Sequence, residues 1–273
     1  MAEERKPARK VEISIEVDAP LEAVWKALTD GEELSRWFPL SARVAPGPGG
    51  SIWMSWGSPW EGEAKIEIWE PNRRLRLLEP PPKPDSIPVA LEYTLESRGG
   101  KTVLRLVHTF GTGADWEEEY FDSTSRGWQF MFANLRHYLE RHAGTPRQVA
   151  WPRWRVSGDA EEIWSKLAGP AGSAAPGSRF RLEAAAGEPL EGTVNFFVPP
   201  RSLCVTVKKL NDALLWVHLE KSEVGYEIWL WLSAYGFSPA EIKSLEARWQ
   251  AQLQRLFPEG QPPSAPGDAV TAQ

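Results

Sequence analysis

Between Asp115 and Ala143, the residues Phe121, Thr124, Trp128, Met131, Leu135, Tyr138 and His142 follow one another at alternating intervals of three and four. That spacing sets them on one stripe of an α-helix. Phe132 and Leu139 widen the stripe into the broad apolar face of a helix that lies on a core. Asp115 can cap its start, and Glu117, Glu118 and Glu119 suit the positive end of its dipole. Gly144 and Pro146 stop it. The surface that such a helix needs is written earlier in the chain, in a period of two. Val11, Ile13, Ile15 and Val17 alternate with polar residues. So do Ile52, Met54 and Trp56; Ala64, Ile66 and Ile68; Leu75 and Leu77; Val89, Leu91, Tyr93 and Leu95; and Leu104, Leu106, His108 and Phe110. Each set predicts a strand with one buried face. Gly99-Gly100 reads as a hairpin turn. After the first strand, Leu21, Val24, Trp25 and Leu28 predict a short helix with Asp18 placed to cap it, and a second covers Glu32 to Trp37. Prolines 80, 81, 82 and 84 form a stiff loop. Sequential, hairpin-connected strands make an antiparallel sheet, and its apolar face is the natural seat of the long helix.

Past a short linker the same order returns. Asp159 to Leu167 parallels Pro20 to Leu28, and Gly177 to Leu182 parallels Gly49 to Met54. Leu215, Val217 and Leu219 match Leu91, Tyr93 and Leu95, while Ile228, Leu230 and Leu232 match Leu104, Leu106 and His108. Ser238-Pro239 opens a last helix with Ile242, Leu245, Trp249, Leu253 and Leu256 on one face. The second half lacks the Trp37-Phe38 helix, a strand after it, and the acidic extension of the long helix. The expected organisation is a complete domain at 9–143, a trimmed, degenerate repeat at 149–257, and a Pro/Gly/Ala-rich tail at 258–273, expected to be disordered, as are residues 1–8.

Composition narrows the function. The hydrophobic fraction of 42% and charged fraction of 25% are those of a soluble globular protein. A net charge of −6 argues against a nucleic-acid partner. No apolar run is long enough for a membrane span, and the charged N-terminus does not read as a secretory signal, so a cytoplasmic location is expected. Cys204 is the single cysteine, which excludes an internal disulfide and a multi-cysteine metal site. The 15 tryptophans must either fill cores or line an apolar pocket.

The pattern Ala19-Pro20, Leu21, Val24-Trp25, Ala27 to Asp30, Glu33-Leu34 and Trp37-Phe38, followed by Gly49-Gly50 and Glu61-Gly62, resembles the SRPBCC superfamily. Within it the resemblance is to the branch of the activator of Hsp90 ATPase C-terminal domain, and Gly127-Trp128, Leu135 and Tyr138 to Glu140 are similar to that branch too. The resemblance implies an α+β fold of two helix-grip (START/Bet v 1-like) domains, each a curved antiparallel sheet wrapped round a long C-terminal helix. It also implies a cavity between sheet and helix. Members of such a family bind or transform hydrophobic small molecules, or act as co-chaperones.

The candidate chemistry is sparse. There is no nucleophile elbow and no phosphate-cradling glycine loop, and Cys204 sits between apolar strand neighbours. His108, His137, His142 and His218 are scattered, and His137 and His142, five apart, do not share a helical face. No metal and no cofactor is expected. His108 shares parity with Leu104, Leu106 and Phe110, so it should face inward, with Tyr93 on the neighbouring strand as a partner. Trp37, Phe38, Met54, Trp56, Trp128, Met131 and Phe132 should line the sheet–helix gap or its mouth. With Tyr93, His108 and Phe110 they form the candidate ligand-binding set. The leading reading is a non-catalytic binder of a hydrophobic small molecule, with the second half structural or partner-binding. The alternatives are a co-chaperone-like module whose partner is a chaperone or other protein, and a cyclase or hydratase using His108 and Tyr93.

Overall fold

The alternating strands of the first half pair into one antiparallel sheet. A computed structural model describes residues 9–58, 60–80, 89–110, 118–169, 174–182 and 189–263. The chain divides into two compact units, Met1–Gly144 and Thr145–Gln273. In the first, β1 (Lys10–Val17) is followed by α1 (Leu21–Thr29) and α2 (Gly31–Ser35). Then come β2 (Ser41–Ala45), β3 (Ser51–Ser55), β4 (Glu61–Glu70), β5 (Arg74–Glu79), β6 (Val89–Arg98) and β7 (Lys101–Thr109), and the long helix α3 (Glu118–Arg141). The sheet order is β1-β7-β6-β5-β4-β3-β2. Every neighbour from β2 to β7 is a sequential hairpin, and β1 closes onto β7 with Val11 opposite His108 and Ile15 opposite Leu104. Gly99 and Gly100 turn the β6–β7 hairpin with φ of 58° and 85°, the left-handed pair a two-residue turn requires. At Gly50, after β2, a Cβ would lie 2.0 Å from the Ala45 carbonyl oxygen, so that turn admits no side chain.

Several local expectations shift. Asp18 does not cap α1. Pro20 is the N-cap, without a side-chain bond, and the Asp18 backbone N–H donates to Glu140 at the far end of α3. Asp30 instead caps α2, accepting from the Glu33 N–H, and α2 ends at Ser35, short of Trp37. β3 ends at Ser55, so Trp56 lies in the turn, where its N–H donates to the Trp60 carbonyl. The predicted cap Asp115, the residues Trp116 and Glu117, the leader 1–8 and the prolines 81, 82 and 84 lie outside the described residues.

At about 1.5 Å per residue, the 24 residues of α3 span roughly 36 Å. Trp128, Phe132, Leu135 and Tyr138 are buried, as the stripe predicts. Phe130, Asn134 and His137 are buried as well, on a flank that the 3-4 spacing omits. The polar member of that flank explains how it is held. Asn134 Nδ2 donates to the Trp37 carbonyl, so the turn after α2 grips the side of α3. Near the end of α3 the Tyr138 hydroxyl donates to Glu33 Oε2 at 2.5 Å, and Arg36 and Lys26 donate to Glu33 Oε1. The Gly144 N–H then donates to the Tyr138 oxygen at 2.9 Å. A nearly buried carboxylate needs such a set of donors, and here the set ties α1 and α2 to the end of α3.

The second unit holds β8 (Arg147–Ala150), β9 (Arg153–Val156), α4 (Ala160–Ala168), β10 (Arg179–Leu182), β11 (Leu190–Val198), β12 (Ser202–Val207), β13 (Ala213–Ser222), β14 (Gly225–Tyr235) and α5 (Pro239–Leu256). Its order is β10-β11-β12-β13-β14-β8, with β9 also on β14. The weak strand expected at 149–156 is thus two short ones, parted at Trp151-Pro152, where proline has no N–H for the ladder. Among the described residues α4 leads to β10 with nothing matching α2 or β2. Each unit is a helix-grip: an antiparallel sheet against a long C-terminal helix. Inside the second, Ile242, Leu245, Trp249 and Leu253 of α5 join Leu203, Val205, Val217, Leu230 and Leu232 in one apolar core. The tail expected to be disordered is paired at its start, since Gln261 bridges Arg155, and residues 264–273 lie outside the described residues.

The start of α5 supports a direct test. Ser238 Oγ accepts from the Glu241 N–H and the Glu241 carboxylate accepts from the Ser238 N–H, a complete capping box. Ser238→Ala should lower the stability of the second unit by about 1 kcal/mol, read as a shifted urea midpoint with unchanged slope; an unshifted midpoint would refute the cap's contribution.

Candidate functional site

The inner face of the first sheet is largely apolar, and two of its polar side chains lie on β6 and β7. There the in-facing row of β7 runs Leu104, Leu106, His108, and that of β6 runs Val89, Leu91, Tyr93, Leu95, all buried. Leu91 stands opposite His108, and Tyr93 opposite Leu106. The register therefore places the two polar side chains diagonally, and the expected His108–Tyr93 bond is not the one formed. His108 turns to the helix instead: Trp128 Nε1–H donates to His108 Nδ1 at 2.8 Å. An imidazole that accepts at Nδ1 carries its proton at Nε2 when neutral. Burial keeps it neutral, pushing its pKa down to about 4. His108 Nε2 is buried and has no hydrogen-bond partner. It is a donor held in an apolar setting with nothing to donate to, a state that costs about 1–3 kcal/mol.

The aromatic residues of the candidate set assemble around that point. His108 stacks on Phe110 with ring centroids 4.3 Å apart. Trp128 lies edge-on to Phe132 at 6.0 Å and to Tyr93 at 6.4 Å, and against Phe38 at 5.3 Å. Phe38 meets Trp56 at 5.1 Å. Phe38, Met54, Tyr93, His108, Phe110, Trp128 and Phe132 are buried; Trp56 and Met131 are half-buried. Trp37 is different from the rest. It stacks behind Phe38, its Nε1–H donates to the Ala27 carbonyl at 2.8 Å, and it has no exposed surface, so it is a packing anchor for the α1–α2 corner. From Phe38 the row reaches the surface, because Trp60 and Leu40, next to the Trp56 turn, are 44% and 42% exposed. The segment after α2 and the start of α3 both reach this row: Phe38 belongs to one, and Phe121 of α3 meets Phe110 at 5.7 Å.

Three polar features escaped the sequence pattern. Glu119 is half-buried and paired with Arg126 at 3.0 Å, not a solvated first-turn charge. His137 and His142, at the end of α3, have ring centroids 5.2 Å apart. Among the described residues no group of three metal-ligating side chains is formed. The third is Glu79, the last residue of β5, on the parity of buried Leu75 and Leu77. A lone Glu at a strand end carries no motif, and only the register shows which way it points. Burial raises the pKa of its carboxyl group. Burial also raises that of the Tyr93 hydroxyl, with a further contribution from the charge of Glu79.

The second unit supplies a comparison within the same chain. There β13 and β14 pair Leu215 with Leu232 and Val217 with Leu230, as β6 and β7 pair Leu91 with His108 and Tyr93 with Leu106. All four residues of those second-unit pairs are apolar and buried in one core.

The family profile described as activator of Hsp90 ATPase homolog 1-like protein matches residues 18–140. The first unit belongs to that family. The matched segment runs from the residue before α1 almost to the end of α3, and so contains the whole aromatic row from Phe38 to Phe132. Among solved structures, CalU16 from Micromonospora echinospora is 25% identical over 48% of this chain and 76% of its own, with a TM-score of 0.40. The Aha1 dimer from Colwellia psychrerythraea is 20% identical over 50% of this chain and 99% of its own, at 0.44. DynU16, from the dynemicin biosynthetic locus, is 19% identical over 92% of this chain and 97% of its own, at 0.42. No curated protein matches the chain.

Proposed function

We propose that the first unit binds a hydrophobic small molecule between its sheet and α3, with the ligand's oxygen accepting a hydrogen bond from His108 Nε2–H. The unpartnered, buried Nε2 carries this reading. A buried donor left over by the fold is a place where a ligand or an ordered water can supply the acceptor. The aromatic row from Trp56 to Phe132 provides apolar walls with few competing polar groups. The second unit, with aliphatic residues at the matching positions, serves as a structural or partner-binding body and as a trimmed repeat of the first. His108 acts here as a donor and not as a base, because its Nδ1 is occupied by Trp128 and burial disfavours its protonation. That favours holding a ligand over cyclase or hydratase chemistry. A screen of lipids, flavonoids and polyketides by thermal shift and dye displacement tests the proposal. A ligand at about a hundred times its Kd should add roughly 2.7 kcal/mol of stability, and His108→Phe should remove most of that gain. A screen in which nothing raises the melting temperature, or in which His108→Phe retains the full shift, would sink the reading.

A second reading is a co-chaperone-type module, supported by the family match alone. Pull-down with Hsp90 and an Hsp90 ATPase assay separate it from the first, and stimulation that survives His108→Phe would assign the activity to a protein surface.

A further inference from the structure

The inner face of the first sheet carries a third ionisable side chain. On β5, Arg74 and Arg76 point outward to Glu92 and Glu67, while Leu75, Leu77 and Glu79 share the other parity. Glu79 stands opposite Val89, which is buried on the same row as Leu91 and Tyr93. Among the described residues neither the Glu79 carboxylate nor the Tyr93 hydroxyl has a hydrogen bond, and Glu79 has no ion pair. Glu79 is half-buried, and a carboxylate on the parity of an apolar face with no donor gains nothing from folding.

The second unit shows that the fold does not ask for it. The pairs Leu75–Tyr93, Leu77–Leu91 and Glu79–Val89 correspond to Leu203–Val217, Val205–Leu215 and Val207–Ala213. Val207, Val217 and Leu232 thus occupy the three places held by Glu79, Tyr93 and His108, and all three lie in a closed apolar core. Three polar residues on one inner face, each aliphatic in the matching position of the same chain, point to a shared cause outside folding.

We infer that Glu79 is the second polar anchor of the ligand site, accepting a hydrogen bond from a hydroxyl or amine of the ligand while His108 donates to an oxygen. The site then selects apolar ring compounds with a hydrogen-bond donor at the Glu79 end, and it rejects anions there. This rests on the ligand-site reading above and adds the chemistry of the ligand to it. Burial strengthens the selection, because a charge or donor in a water-poor site is worth more than in solvent.

Two fluorescent probes test it on the full chain: neutral N-phenyl-1-naphthylamine, which carries an N–H, and 1-anilinonaphthalene-8-sulfonate, an anion. The wild type should prefer the neutral amine. Glu79→Val, which copies the second unit, should weaken the amine by about tenfold and strengthen the sulfonate, so that the preference collapses. His108→Phe should weaken the sulfonate, whose oxygens accept from Nε2–H, and leave the amine, which has no oxygen, nearly unchanged. A melting temperature of Glu79→Val a few degrees above the wild type shows the fold intact. If neither probe binds the wild type, the ligand-site reading fails and the anchor with it. If both bind and Glu79→Val leaves their ratio unchanged, the anchor alone is overturned. A Glu79→Val protein that melts below the wild type makes Glu79 a structural residue and overturns it too.

Discussion

Trp128→Ala is expected to cost the first unit about 4 kcal/mol, the largest effect of any single substitution at the site. The indole is 7% exposed and touches Phe38, Tyr93, His108 and Phe132. Its removal leaves a cavity between the sheet and α3 and strips the acceptor His108 Nδ1 of its donor. Trp128→Phe separates the two contributions. It keeps most of the ring contacts and loses only the N–H, so it should cost about 1–3 kcal/mol. It should also free the His108 ring to change tautomer, which ¹⁵N shifts of the imidazole would report. Urea unfolding followed by circular dichroism measures both losses. Equal stability of Trp128→Phe and wild type would mean that the indole–imidazole bond contributes nothing.

The second large effect is in pH. The folded pKa of His108, about 4, lies below its ordinary value of 6.5, because burial penalises the imidazolium. Between those values the unfolded chain takes up a proton that the folded chain refuses. More protons bound by the unfolded state means that stability rises with pH, so this contribution is fully present above 6.5 and is lost as pH falls towards 4. A shift of this size corresponds to roughly 3 kcal/mol across the window. Glu79 works in the opposite direction, since its raised carboxyl pKa favours the folded state as pH falls. The difference between wild type and His108→Gln therefore isolates the histidine. That difference should shrink steadily from pH 6.5 to 4, because the variant has no imidazole to charge. A constant offset over that range would show that His108 is not buried neutral.

The strand and helix elements were legible because their periods are strong. The alternation of Leu91, Tyr93 and Leu95 against Glu92 and Thr94 admits one orientation of β6, and the structure has it. The same holds for Leu104, Leu106 and His108 on β7, so an inward His108 follows from the sequence alone. The 3-4 stripe likewise brought Trp128 to the sheet side of α3. What the periods could not supply was pairing across elements. Tyr93 was the nearer partner for His108 by strand adjacency, yet the register sets Tyr93 against Leu106 and leaves the helix to provide the donor. Asn134 and His137 fall outside the 3-4 stripe, yet both are buried, and the turn after α2 offers the Trp37 carbonyl to Asn134. Glu79 carried no pattern, since a single carboxylate at a strand end reads as solvated until the strand is placed.

From the sequence by itself come the kinds of element, their order, the faces they bury, and the family resemblance that covers the first unit. Those depend on local spacing and on apolar periodicity, which are properties of neighbouring residues. The tertiary structure alone decided which polar atoms inside the first unit meet and which are left over. That outcome depends on register and on the seating of α3, and both are set by packing between segments far apart in the chain. The unpaired Nε2 of His108 and the placing of Glu79 opposite buried Val89 are consequences of that packing, and no spacing along the chain encodes them.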